Sequence, residues 1–166
     1  MSTSPKQQFL DAYDRELATT MRVLRSFPES RLDLRPHEKC KNARELAWVF
    51  VAERGLGEMV LTDRFPEAME GEMPEPPESW EVQLRALEEA SAGYRAIVEA
   101  LPDENLGGTV PFFTGPKTVG EIPLADFLWM MLHDEIHHRG QFSIYLRMAD
   151  GRVPSIYGPS ADEPWD

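Results

Sequence analysis

The segment from Pro123 to about Ala149 constrains this chain most. It carries Leu124, Phe127, Leu128, Met131, Leu132, Ile136, Phe142, Tyr145 and Leu146, with Gly151 placed to stop a helix. On a helix these residues occupy nearly every side. A helix that is apolar all round is usually one packed among other elements. No run in the chain approaches the roughly 18–20 apolar residues that span a bilayer, so the neighbours of this helix are expected to be other helices of the same chain.

Three further segments supply them. From Ser4 to about Phe27, Phe9, Leu10, Tyr13, Leu17, Met21 and Leu24 recur at three- and four-residue steps, the spacing of one helical face. Ser4 is placed as N-cap with Pro5 as the first helical residue. Asn42 and Glu45 form a variant capping box for a second helix reaching about Asp63. Its broad face holds Leu46, Val49, Phe50, Glu53, Leu56, Gly57 and Val60, and Gly55 and Gly57 suggest close packing or a bend. Ser79 caps a third helix whose stripe is Trp80, Leu84, Leu87, Ala90 or Ser91, Tyr94 and Val98, closed by Pro102.

The connections are long. Residues 65–78 contain four prolines and read as a crossing loop or flap. Residues 103–122 are rich in Gly and Pro, with Thr109–Phe113 as a short extended stretch. The aromatic tail from Val153 onward is expected to pack back on the helices. These features predict an all-α fold: one four-helix-bundle domain over residues 1–166 with long crossover loops and an ordered C-terminal tail.

Charge narrows the function. Seventeen Lys and Arg face 29 Asp and Glu, giving a net charge of -12. That balance repels phosphate backbones and anionic lipid, which argues against nucleic-acid or membrane-surface partners. Cys40 is the lone cysteine, so neither a disulfide framework nor a cysteine-based zinc finger is expected. With no apolar signal core in the first residues, a cytoplasmic location is expected.

The chain has four histidines, and three fall in His133-Asp134-Glu135-Ile136-His137-His138. His133 and His137 are four apart, which stacks two imidazoles on one helical face. Such a pair can grip one divalent ion, and imidazole suits Zn, Ni, Cu and Fe. His138 instead pairs with Asp134, four residues back, so a second register of ligands exists, and the all-round apolar pattern does not choose between them. Gly140 leaves room on the His133 and His137 side, which favours that pair. The zincin pattern H-E-x-x-H is not met, because Asp134 follows His133.

His137-His138-Arg139-Gly140-Gln141, Tyr145-Leu146-Arg147-Met148, the tail Val153–Ser160 and Ala43–Trp48 together resemble the DinB/YfiT-like family of metal-dependent four-helix-bundle proteins. The resemblance covers most of the chain. It implies up-down-down-up connectivity and a homodimer. It also implies a divalent metal (Zn, Ni or Fe) held by a helix-two histidine and a four-apart pair on the last helix, which matches His133 and His137. The helix-two histidine is missing: Val49 stands about where it belongs. Glu53, four residues on and on the same face, is the candidate replacement ligand; its alternatives are an exposed residue or a partner of Arg54 or Arg139.

Asp134, His138, Arg139 and Gln141 are the expected pocket or supporting residues, with Arg139 suited to an anionic group or to a structural ion pair. The implied activity is metal-dependent transfer of a low-molecular-weight thiol, or hydrolysis, acting on a small electrophile. A decayed metal site, leaving a binding or stress-response accessory protein, is the competing expectation.

Overall fold

The computed structural model describes residues 4–71 and 74–165. Met1–Thr3, read above for a signal segment, and Glu72 and Met73 of the proline-rich connection lie outside the described residues. The helices are α1 (Pro5–Arg25), α2 (Ala43–Leu61), α3 (Phe65–Glu70), α4 (Trp80–Ala100) and α5 (Leu124–Met148).

Side-chain caps fix where three of the four long helices begin. Ser4 accepts from the Gln7 amide and Ser79 from the Val82 amide. Asn42 and Glu45 exchange both bonds of a capping box, Glu45 N to Asn42 Oδ1 and Asn42 N to Glu45 Oε2, each at 2.8 Å. These bonds satisfy amides that a helix start otherwise leaves unpaired.

Each long helix packs on two others: α1 on α4 and α5, and α2 on the same two. Two clusters of buried side chains result. One gathers Phe9, Tyr13, Tyr94, Phe127, Leu128 and Leu132; the other gathers Leu24, Phe27, Leu46, Phe50, Trp80 and Phe142. Gly57 explains the close approach of α2 to α4, since a Cβ there would stand 2.6 Å from Tyr94 Cε2. Gly55 faces open space.

The extended stretch expected at Thr109–Phe113 is present within a strand, and two features go beyond the sequence expectation: its pairing with a second strand, and a short helix. The chain is mostly helical but includes a hairpin, β1 (Thr109–Gly115) against antiparallel β2 (Thr118–Pro123), with a register irregularity near Gly115. Lys117 takes a left-handed φ of 59° in its turn. The six-residue α3 occupies part of the segment expected to be loop, with Pro66 in its first turn, where its missing N–H costs nothing. Both elements serve one aromatic cap: Phe65 of α3 packs on Phe112 and Phe113, and Phe112 on Phe127 of α5.

At the end of α5, Asp150 takes the left-handed conformation (φ 59°) and the Gly151 amide returns to the Leu146 carbonyl at 3.0 Å. A Cβ on Gly151 would sit 2.2 Å from Leu146 Cδ1. The glycine is there for space, and the residue before it makes the turn.

The tail packs back as expected. Val153 and Ile156 lie on the second cluster. Asp162 accepts from the Val153 amide at 2.8 Å and pairs with Arg147 at 2.7 Å. No helix among the described residues is long and apolar enough to cross a membrane.

Candidate metal centre

The buried stripe of α5 decides which histidine faces inward. It runs Leu124, Phe127, Leu128, Met131, Leu132, Glu135, Arg139, Phe142, Tyr145 and Leu146. Two of its members, Glu135 and Arg139, are charged and almost fully buried, at 0% and 1% exposure. Asp134 and His138 stand at the edge of this stripe facing α2. His133 and His137 are carried outward.

Glu53, Asp134 and His138 form, among the described residues, the group whose potential ligand atoms converge, all lying within 4.8 Å of one another. His138 Nδ1 is 2.8 Å from Glu53 Oε1 and 3.9 Å from Asp134 Oδ1. Glu53 is buried, His138 is partly covered with Phe50 edge-on to its ring, and Asp134 is open to solvent.

The expected set of His133, His137 and Glu53 is therefore not assembled. His133 is exposed and lies beside the Trp129 ring; His137 is exposed, its Nε2 2.7 Å from Gln141 Nε2. The physical reason is helical phase. Once Glu135 and Arg139 take the inward face, residues 133 and 137 must turn away from it. The second register, Asp134 with His138, is the one that meets Glu53.

The remaining expectations resolve as follows. Glu53 partners neither Arg54 nor Arg139. Gln141 serves His137 at the surface. Arg139 forms the structural ion pair, with Glu16 at 2.7 Å, and also bonds Tyr157 Oη at 2.6 Å. The fourth histidine, His37, lies in the loop before α2, its Nδ1 accepting from the Lys39 amide. Cys40 is half-buried and lies apart from this group.

The donors fit a cation. Both Glu53 carboxylate oxygens and His138 Nδ1 are buried and have no hydrogen bond of acceptable geometry, despite the 2.8 Å approach of two of them. Buried polar atoms are nearly always satisfied; Glu53 Oε1 and His138 Nδ1 face each other as an ion pair, and Glu53 Oε2 is left without a partner, so the group has a donor to spare for a cation. Burial pushes the Glu53 carboxyl above its ordinary value, against the pull of His138. The Glu53 carboxylate raises His138, against its own burial. Two carboxylates and one imidazole carry the charge that a dication neutralises, and an oxygen-rich set of this kind suits Zn, Fe or Mn.

Comparison with known proteins bears on the same helices. The sequence profile of the DinB superfamily matches residues 12–142. The chain is 25% identical over 156 residues to the uncharacterized protein YrdA of Bacillus subtilis (strain 168), covering 93% of this chain and 89% of the relative. A crystal structure of a DinB-like protein from Bacillus cereus ATCC 10987 superposes with a TM-score of 0.75 at 21% identity, covering 90% of this chain and 95% of that one. The DinB-like protein YjoA of Bacillus subtilis gives 0.69 at 18% identity, covering 89% and 95%. With the profile covering α2, α3 and α4 whole and most of α1 and α5, the chain belongs to the DinB superfamily.

Proposed function

We propose that this protein holds a divalent metal ion on Glu53, Asp134 and His138 and acts with it on a small electrophilic substrate, by thiol transfer or hydrolysis. The observation that carries the reading is the convergence of donors: Glu53 and His138, paired with each other and partly or wholly buried, face Asp134 with their ligand atoms within 4.8 Å of one another, and Glu53 Oε2 has no other partner. Members of the superfamily are generally metal-associated, which supports it. A metal with three protein ligands and open positions acts as a Lewis acid and lowers the pKa of water or a thiol. The chain's own part is to fix three donors from two helices and to leave Asp134 at the solvent edge, where a small molecule can approach. Two carboxylate oxygens and one imidazole nitrogen form a donor set that can take zinc, iron(II) or nickel.

Asp14 with Arg95 and Arg25 with Glu88 run α1 antiparallel to α4. Phe9 with Trp129 and Thr20 with Glu135 run α1 parallel to α5. Lys41 with Tyr145 and Arg54 with Glu135 run α2 antiparallel to α5. These pairings support the four-helix, up-down-down-up arrangement. The outward face of α5, with Trp129, Met130, Ile144 and Met148 exposed, supports a homodimer. In a chain of net charge -12 this strip presents four large apolar residues with His133, His137 and Gln141 between them, so two copies can meet there without facing like charges.

Calorimetric titration of tag-free protein with Zn(II) tests the metal reading. One ion per chain is expected, with binding lost in Glu53→Ala and in His138→Ala and kept in His133→Ala and His137→Ala. A wild-type protein that takes up no ion, with no thermal shift on adding Zn(II), would overturn the reading in favour of a non-catalytic binding protein.

A further inference from the structure

Each of the two helices that supply the metal donors places a buried charged residue directly after a donor. Arg54 follows Glu53 on α2, and Glu135 follows Asp134 on α5. Arg54 and Glu135 form an ion pair in the core, both essentially inaccessible. The Arg54 guanidinium also lies 5.0 Å from the Tyr13 ring centroid and 5.8 Å from that of Tyr94.

The pair does not end there. The second Glu135 oxygen, Oε1, accepts from Thr20 Oγ1 of α1 at 2.6 Å. Arg139 Nη1 donates to the same hydroxyl at 3.4 Å and to the Glu16 carbonyl at 3.1 Å. Arg139 Nη2 reaches Tyr157 Oη at 2.6 Å and Glu16 Oε2 at 2.7 Å. Tyr157 in turn donates to Glu16 Oε2 at 2.7 Å. The polar chain thus runs from beneath the metal donors, through α5 and α1, to an exposed tyrosine of the C-terminal tail.

We propose that this chain, Arg54–Glu135–Thr20–Arg139–Tyr157, positions Glu53 and Asp134 for the metal, and that seating of the tail through Tyr157 is part of that positioning. The proposal rests on the metal reading above. Consecutive helical residues point about 100° apart, so Glu53 and Arg54 cannot turn independently, nor can Asp134 and Glu135. An ion pair between Arg54 and Glu135 therefore sets the rotation and relative height of α2 and α5 at the level of the donors. A slide of one residue, about 1.5 Å, would break the pair and part Glu53 from His138. Apolar side chains of the same volume would pack there without a register. A buried ion pair adds little net stability but penalises wrong alignments, which is what a site drawn from two helices needs.

The test measures Co(II) affinity and the Co(II) ligand-field spectrum together with the melting temperature of the metal-free protein. Thr20→Val cuts the chain with a side chain of nearly equal shape. Tyr157→Phe cuts it at its exposed end, where folding is little affected. Leu87→Val, in the second core cluster, serves as a control that lowers stability alone. Partners behind metal ligands commonly change affinity by about 10- to 100-fold. Thr20→Val is expected to weaken Co(II) binding at the lower end of that range, about tenfold, and to shift the spectrum. Tyr157→Phe is expected to do so to a lesser degree at an almost unchanged melting temperature, and Leu87→Val to melt earlier with wild-type affinity and spectrum. If Thr20→Val and Tyr157→Phe both retain wild-type affinity and spectrum, the positioning role is wrong while the metal reading stands. If the wild type itself takes up no Co(II), the metal reading fails and the positioning role with it.

Discussion

Arg54 and Glu135 meet across the α2–α5 contact at 2% and 0% side-chain exposure, each one residue after a candidate metal donor. Two opposite charges are held out of water, and their remaining atoms are mostly covered by Tyr13, Tyr94 and Thr20. Removing one partner strands the other. Arg54→Met is expected to cost about 3–5 kcal/mol in urea unfolding, and Arg54→Met with Glu135→Leu to recover most of that loss. A single variant within error of wild type would mean that the pair is solvated.

The two glycines of α2 should respond in opposite directions. A Cβ at Gly57 would overlap the Tyr94 ring, whereas Gly55 faces open space. Gly57→Ala is expected to destabilise by about 1–3 kcal/mol through overpacking. Gly55→Ala is expected to stabilise by up to about 1 kcal/mol, because alanine is the better helix former. Denaturant midpoints of the two variants settle the contrast; equal effects would contradict the packing described.

All four tyrosines are held protonated by the fold. Burial is the leading cause at Tyr13, Tyr94, Tyr145 and Tyr157, and it pushes Tyr145 up to about 12. Each folded-state value lies above the unfolded one, so the native state binds the phenolic proton more tightly. The resulting stabilisation is complete below the unfolded value near 10 and is lost as pH rises through the folded values. Phenolate absorbance in native protein should therefore lag behind that of urea-unfolded protein above pH 10, and alkaline unfolding should bring the two together. Superimposable titrations would contradict the burial of Tyr13, Tyr94 and Tyr145.

Association through α5 is open to a direct check. Ile144→Glu places a charge on the exposed apolar strip, and Ile144 is 61% exposed, so the fold should tolerate it. Sedimentation is expected to give a dimer for the wild type and a monomer for the variant. Equal masses would place any interface elsewhere.

Much of this architecture was legible in the sequence because it is written in local chemistry. Ser4, Asn42 with Glu45, and Ser79 mark helix starts by the bonds their side chains make, and those bonds are present. The stripe of α1 was equally plain, since its polar and apolar faces are distinct.

The phase of α5 was not legible. Trp129, Met130, Ile144 and Met148 are apolar and exposed, while Glu135 and Arg139 are charged and buried. Reading hydrophobicity as burial inverts both groups, so the pattern could not choose between the two registers; Gly140 and the family resemblance were what favoured His133 and His137 over Asp134 and His138. The spacing of Glu135 and Arg139, one turn apart, was the available signal: it places two opposite charges in line with Leu128, Leu132, Phe142 and Leu146. The extended stretch at Thr109–Phe113 was legible, but its pairing with β2 was not, because Thr118–Pro123 carries little apolar alternation. α3 escaped because Pro66 reads as a break, although it sits in a first turn where the lost N–H is tolerated.

The metal centre is tested most directly by anomalous scattering from crystals of tag-free protein grown with Zn(II). One strong peak is predicted, about 2.0–2.2 Å from side-chain donors of Glu53, Asp134 and His138. A peak held by His133 and His137 instead, or no peak at all, would contradict the account.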